Sequence, residues 1–309
     1  MSITEQRRIV VIGSANIDLV MRVPRCPKPG ESLMGHSFMT VTGGKGANQA
    51  LAAARLGAQV HFCGCVGDDD FGQQQRASLE ADGVDVTRLK IHSTEATGTA
   101  MIMVADSGQN SIVVTPGANA ALLPEDIAPM QSLIAGADVL LLQLEIPMET
   151  TIAALKMARE VGTLSIVDAG PAQQVPDELL KLCDVISPNE TEAQTLCHGA
   201  VTVNDLETAG QAAALLMNRG ATKAVMKLGS LGSLYVGKEQ CFAPAYTVDA
   251  VDTTAAGDAF TAALAVYWNP DDIKSTLSMA NATGALACTV AGAQPSLPTR
   301  EAVEQLSQS

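Results

Sequence analysis

The sequence predicts an α/β protein: a three-layer sandwich, with helices on both faces of a mainly parallel sheet and a small β-sheet inserted into it. Three observations lead there. The first apolar run, residues 9–12, has the length of a buried strand and ends on a polar loop. From residue 138 onward, apolar strand-length runs alternate with helical segments, the pattern of parallel strands joined by crossover helices. Residues 19–42 break that pattern. They carry Pro24, Pro27, Pro29 and Gly30 with no helical period, and read as extended insertion rather than crossover helix.

In chain order, the first strand (9–12) runs into Gly13-Ser14-Ala15-Asn16. Asn16 and Asp18 stand at its end, where open α/β sheets bind ligands. The same residue types also form ordinary turns, so position alone leaves both readings open. Glycines at 43, 44 and 46 open a helix over 50–56 that Gly57 closes. Residues 60–65 are the next strand. Runs 99–104 and 111–114 flank a polar turn and read as a hairpin that extends the insertion. Then come strand 139–144, helix 150–161, strand 164–167, a short strand at 185–186, helix 206–217 and strand 224–228. Ala-rich helices over 258–266 and 273–290 close the chain. No repeat or linker interrupts it, so one compact domain is expected.

Composition narrows the functions. At 47% hydrophobic and 17% charged residues the chain is a folded globule, and with 3% aromatics its core must be built from Ala, Val, Leu, Ile and Met. A formal charge of −14 repels nucleic acid and free nucleotides alike, so any nucleotide site must rely on backbone amides, Mg²⁺ and a few local cations. The seven cysteines are scattered, without paired spacing, and suit free thiols in a reducing compartment. Cys63-Gly-Cys65 is too tight for a zinc pair. No apolar window of about 20 residues exists to span a membrane. The start, MSITEQRR, lacks a leader pattern, and a cytoplasmic location is expected.

Four segments carry chemistry. In Asp252-Thr-Thr-Ala-Ala-Gly257-Asp258, Thr253 or Thr254 can cap a helix whose small residues leave amides bare, an anion site by dipole and geometry. A carboxylate there is out of place unless it takes a proton from a hydroxyl attacking phosphorus beside those amides. Equally, Asp258 is an ordinary first-turn acid. Gly43-Gly-Lys-Gly-Ala-Asn48 is not a Walker A loop, since Gly46 follows Lys45, and no Gly-x-Gly-x-x-Gly occurs. Its glycines let backbone approach a ligand while Lys45 and Asn48 donate; a helix-entry turn with a solvated lysine is the plainer reading. Pro188-Asn-Glu-Thr-Glu192 and Lys227-Leu-Gly-Ser-Leu-Gly232 follow strands. The first opens a helix and could hold a water shell around Mg²⁺; the second could approach a nucleotide or be a plain loop.

Together these stretches resemble the ribokinase family of carbohydrate kinases over essentially the whole chain. Gly13 to Asp18, Pro29-Gly-Glu31, Gly43 to Ala50, Val66-Gly-Asp-Asp69, Gly117-Ala-Asn119, Pro188 to Glu192, Asp252 to Asp258 and Gly292-Ala-Gln-Pro-Ser296 match in order. The resemblance implies ATP-dependent phosphorylation of D-ribose at its 5-hydroxyl. It implies Asp258 as base, with the amides of Ala255, Ala256 and Gly257 as anion hole. Asn16, Asp18, Gly44, Lys45, Asn48, Ala100, Ile102 and Glu145 would surround the sugar. Asn189, Lys227, Gly229, Ser230, Gly232, Gly257 and Asn281 would line the ATP site. Glu192 would act on Mg²⁺ through water, and Asp252, Thr254, Ala287, Val290, Gly292 and Ser296 would hold a monovalent cation such as K⁺. It divides the chain into an α/β domain (1–16, 43–93 and 116–309) and a β lid (17–42 and 94–115) that covers the sugar and forms a homodimer surface.

Three positions depart from the family pattern. Lys227 stands where threonine is common, Val290-Ala291 replaces an Arg-Lys pair, and Asp168-Ala-Gly-Pro171 replaces Asn-Pro-Ala-Pro. Lys227 could place a cation near the phosphates or point to solvent. The alternatives are a kinase of this fold acting on 2-deoxyribose, fructose or adenosine, and a non-catalytic sugar-binding regulator, which should lack Asp258 or its glycine. A nicotinamide enzyme lacks its glycine fingerprint.

Overall fold

A computed structural model describes residues 6–308; the first five residues of the expected α/β domain and leaderless start, and the last residue, lie outside them. The chain opens with β1 (Arg8–Ile12), β2 (Asn16–Val23), β3 (Ser37–Gly43), α1 (Lys45–Arg55), β4 (Gln59–Gly67), α2 (Asp70–Ala81) and β5 (Asp85–His92). It continues through β6 (Gly98–Ala105), β7 (Asn110–Thr115), α3 (Pro124–Ile127), α4 (Gln131–Ala135), β8 (Val139–Leu142), α5 (Met148–Val161) and β9 (Leu164–Asp168). Then come α6 (Asp177–Leu182), β10 (Val185–Ser187), α7 (Glu190–Leu196), α8 (Leu206–Asn218), β11 (Ala224–Lys227), β12 (Gly232–Val236) and β13 (Gln240–Pro244). Helices α9 (Ala256–Tyr267), α10 (Ile273–Ala287) and α11 (Arg300–Ser307) complete it.

The large sheet runs β13-β12-β11-β10-β9-β8-β1-β4-β5, and all its pairings are parallel except those of the β11-β12-β13 edge. Alternation along its strands splits the core in two. Ile9 and Val11 face a layer containing α1, α9 and α10, while Val10 and Ile12 face α5, α6 and α8. That is the three-layer α/β arrangement the sequence predicts, with buried strands apolar on both faces. The aromatic-poor composition has its counterpart in α1 and α9, which pack together and bury alanines such as Ala47, Ala50, Ala259 and Ala262.

A second sheet, β3-β2-β6-β7, stands apart from the first. Apolar side chains are open on both its faces: Phe38 on β3 and Val113 on β7 on one, Met39 on β3 and Ile112 and Val114 on β7 on the other, each about half exposed or more. Because β2 begins at Asn16, this sheet starts at the ligand-binding end of β1.

Several elements differ from the sequence reading. Helix α1 begins at Lys45, because Gly44 turns at φ +90° and releases the chain into helix before the expected residue 50. Strand β8 stops at Leu142 and α10 at Ala287, two and three residues short of the expected 144 and 290. The pair α2–β5 and the hairpin β12–β13 were not anticipated. Helix α2 buries only Gly72, Gln75 and Leu79, too little apolar surface for a clear period.

Candidate active site

The ends of β1, β8, β9 and β11 and the starts of α1 and α9 converge at one edge of the large sheet. Asp258, in the first turn of α9, is 4% exposed. Asn48 Nδ2 donates to its Oδ2 at 2.9 Å, Gln49 Nε2 donates to its Oδ1 at 3.1 Å, and the Lys45 ammonium lies 3.7 Å from Oδ1. Asn48 Oδ1 is buried without a partner in the described chain, an acceptor left for a ligand hydroxyl.

Helix α9 is not capped by Thr253 or Thr254, which corrects that expectation. Thr254 Oγ1 turns back to Asp252 Oδ1 at 2.6 Å, and the capping position falls to Ala255 at φ +61°, which offers no side-chain acceptor. Of the three expected anion-hole amides, Ala256 donates weakly to the Thr253 carbonyl at 3.3 Å. Those of Ala255 and Gly257 make no hydrogen bond within the described chain, leaving two positive N–H groups beside Asp258.

The polar end of β1 faces the base. Asn16 Oδ1 accepts from Asn119 Nδ2 at 2.7 Å, and Asn119 also clamps the backbone of Ala15. Glu145 Oε2 accepts from Ser14 Oγ at 2.5 Å and from the Lys45 amide at 3.1 Å. Asp18 lies under Gly43, where an added Cβ would meet its carboxyl oxygens at 2.5–2.7 Å. Burial, followed by the nearby Glu145 and Asp258 carboxylates, raises the Asp18 pKa from 3.8 to about 7. Burial alone would lower Lys45, but Asp258, Asp168, Glu145 and Glu192 outweigh it and hold the ammonium firmly charged. On the small sheet Ala100 pairs in register with Asp18, and Ile102 lies one residue pair beyond on the same face.

On the other side of Asp258 is a cavity of about 450 Å³ lined by Lys227, Gly229, Ser230, Gly232, Gly257 and Asn281, six of the seven residues expected at a nucleotide. Asn189 is not in its lining; it caps α7 in a reciprocal box with Glu192. Tyr246, Thr247 and Val248, on the loop after β13, complete the wall and had no motif to announce them. Asn281 Nδ2 holds that loop by donating to the carbonyls of Ala243 and Pro244 at 3.0 and 3.1 Å.

Lys227 does not point to solvent. Its ammonium bonds Asp168 Oδ1 at 2.9 Å and lies 3.6 Å from Glu192 Oε2. Burial pulls the Lys227 pKa down, but the two carboxylates raise it; burial pushes Asp168 up, but Lys227 and Lys45 hold it below the usual range. Glu192 is raised, chiefly by burial.

Of the residues expected at a monovalent cation, Asp252 ties its own loop to Thr254 through Oδ1 and to the Gly292 amide, at 2.9 Å, through Oδ2. Cys288 O accepts from the Val251 and Asp252 amides, so residues 251–254 and the turn after α10 lie side by side; Ser296 bonds Ala293 within that turn. Among the described residues no cluster of three or more His, Cys, Asp or Glu is arranged to hold a metal ion.

Sequence reasoning passed over Gln49, Gln143, Asp168 and Thr261 as site residues. Asp168 stood out only as a departure from the family pattern and Gln49 only inside the Gly43–Ala50 match; Gln143 is a polar residue inside the apolar run of β8 and its end.

Comparison with known proteins agrees with this geometry. The model of the pfkB family of carbohydrate kinases matches residues 6–300. The ribokinase of Haemophilus influenzae is 39% identical over 298 residues, covering 96% of this chain and 97% of its own. The deoxyribokinase of Salmonella typhi is 34% identical over 296 residues, covering 95% and 96%. The structure of Arabidopsis thaliana ribokinase complexed with ribose and ATP superposes with a TM-score of 0.91 at 34% identity, covering 98% of this chain and 99% of that one.

Proposed function

Since the chain belongs to the pfkB family of carbohydrate kinases, we propose that it transfers the γ-phosphoryl group of ATP to the 5-hydroxyl of D-ribose, giving ribose 5-phosphate and ADP. The observation that carries the reading is the placement of Asp258: a buried carboxylate between the Lys45–Asn48 hydroxyl site and the bare amides that open α9 onto the cavity.

In this reading Asn16, Asp18, Lys45, Asn48 and Glu145 hold the sugar hydroxyls. Asp258 accepts the proton as the hydroxyl oxygen forms its bond to phosphorus and the bond to ADP breaks. The free amides of Ala255 and Gly257 stabilise charge that grows on the phosphoryl oxygens. Ala100 and Ile102 present one face of the small sheet to the sugar as a lid, and the opposite face, with Phe38, Met101 and Val113, is the homodimer surface. Seven unpaired cysteines suit a cytoplasmic setting.

Mg²⁺ and K⁺ are part of the proposal. Glu192 fits an outer Mg²⁺ role, because Oε2 is committed to the Asn189 amide at 2.7 Å and Oε1 has no protein donor in the described chain. Mg²⁺ there would neutralise phosphate charge. The paired loops around Asp252 and Gly292 offer carbonyls, with those of Ala287 and Val290, for a weakly hydrated cation.

Ribose-dependent ADP formation, with and without K⁺, tests the reading, with 2-deoxyribose, fructose and adenosine as comparators. Asp258→Asn should lower kcat at least ~100-fold while the fold persists. An unchanged kcat would remove Asp258 as base.

A further inference from the structure

Asp168, at the C-terminal end of β9, is fully buried and accepts four hydrogen bonds. Oδ1 takes Lys227 Nζ at 2.9 Å and the Gly170 amide at 3.1 Å; Oδ2 takes Gln49 Nε2 at 2.8 Å and Thr261 Oγ1 at 3.2 Å. Two of these donors lead to opposite sides of the reaction. Lys227 lines the nucleotide cavity, and its ammonium lies 3.8 Å from where a Cβ on Gly257 would stand. Gln49 spends its other N–H on Asp258 Oδ1 and accepts from Gln143 Nε2 at 2.7 Å through its own oxygen.

Resting on the kinase reading above, we propose that Asp168 is a positioning residue that keeps the two ends of phosphoryl transfer in register. It holds the Lys227 ammonium at the phosphate end and, through Gln49, the Asp258 carboxylate at the hydroxyl end.

The orientation of Gln49 has one solution. Turned over, its carbonyl would face two carboxylates and its amide would face the Gln143 amide, so three hydrogen bonds would be lost together. The charge of Asp168 matters as much as its shape. An asparagine there would turn its NH₂ either toward Lys227 and the Gly170 amide or toward Gln49 Nε2, leaving at least one buried donor unpaired. Removing Lys227 instead takes from the fully buried Asp168 the cation it bonds and leaves Lys45 as its remaining positive neighbour, a costly loss for a buried charge. Lys227 and Asp168 therefore act as one pair.

The test is a double-mutant cycle on the full chain, read by ribose and ATP kinetics and by melting temperature. Asp168→Asn and Lys227→Thr should each lower kcat about tenfold or more, the scale expected of a small misplacement of reacting groups, with the sugar KM within about threefold. The combined variant should melt higher than Asp168→Asn alone and lose no more kcat than the worse single variant, since the two residues act as one pair. Multiplying losses in the double variant, or an Asp168→Asn kcat within about twofold of the parent, would overturn the proposal. Should Asp168→Asn fail to fold, Gln49→Met leaves the ion pair intact; it must still lower kcat about tenfold at an unchanged sugar KM, and an unchanged kcat overturns the proposal. If the parent protein makes no ADP from ribose, the kinase reading fails. The melting temperatures then stand alone, and additive shifts in them reject the pair.

Discussion

At the scale of single residues, Asp18 makes the site pH-sensitive. Its pKa is raised in the free protein, from 3.8 to about 7. The folded chain therefore holds a proton that the unfolded chain has released between those values. The stability this gives is complete below about 3.8 and is lost as pH rises through about 7. Sugar hydroxyls donate best to the ionised form, so binding and folding pull in opposite directions. The ribose KM should rise as pH falls below 7, by at most about tenfold per unit, and Asp18→Asn should flatten that limb while raising the melting temperature of the unliganded protein more at pH 8 than at pH 6. A ribose KM independent of pH between 6 and 8 would remove Asp18 from the sugar site. Lys45, Asn48 and Asp258 were legible in the sequence because glycine-rich loops and a helix start advertise backbone chemistry. Gln49, Asp168 and Thr261 were not. Their meaning lies in partners 93 to 209 residues away, and nothing local marks a glutamine that bridges two carboxylates.

At the scale of elements, the start of α9 holds strain at Ala255, whose φ of +61° an L-residue adopts only at a cost. Ala255→Gly should stabilise the fold by about 0.5 kcal/mol, the relief of that conformation less the entropy a new glycine adds to the unfolded chain. A denaturant midpoint that moves down instead would mean the alanine methyl contributes packing that outweighs its strain. The elements that were legible share strong apolar patterning: β1, β4, β8, β9, β11, and the helices α1, α5 and α8 to α10. Those that were not are shaped by their neighbours. Helix α2 carries three consecutive glutamines, of which Gln75 is buried and donates to the Gly43 carbonyl, a tertiary contact no periodicity announces. Strands β12 and β13 lie beyond a glycine that turns at φ +117°, where the sheet changes from parallel to antiparallel.

At the scale of the whole molecule, the small sheet offers an apolar face that a lone chain would leave wet. On the face away from Asp18, Val113 is 63% exposed, across from Met101 on β6 and on the same side as Phe38 on β3. In the proposed homodimer a second copy covers this face. Val113→Asp should weaken self-association at least ~100-fold by sedimentation, since it strands a charge in an apolar contact. A parent chain that sediments as a monomer at micromolar concentration would end the dimer proposal. The fold class was legible because alternating buried runs demand helices on both sides; the pairing of β2 with β6, far apart in sequence, was not.

The alanine-rich packing of α1 and α9 has a mechanical consequence. Alanine carries no side-chain torsion, so the buried alanines of α1 and α9, Ala47, Ala50, Ala259 and Ala262 among them, add no alternative rotamers to the layer these helices form. Lys45 and Asp258, each in the first turn of its helix, are thus held to one another by the packing of α1 on α9 as well as by their own charges.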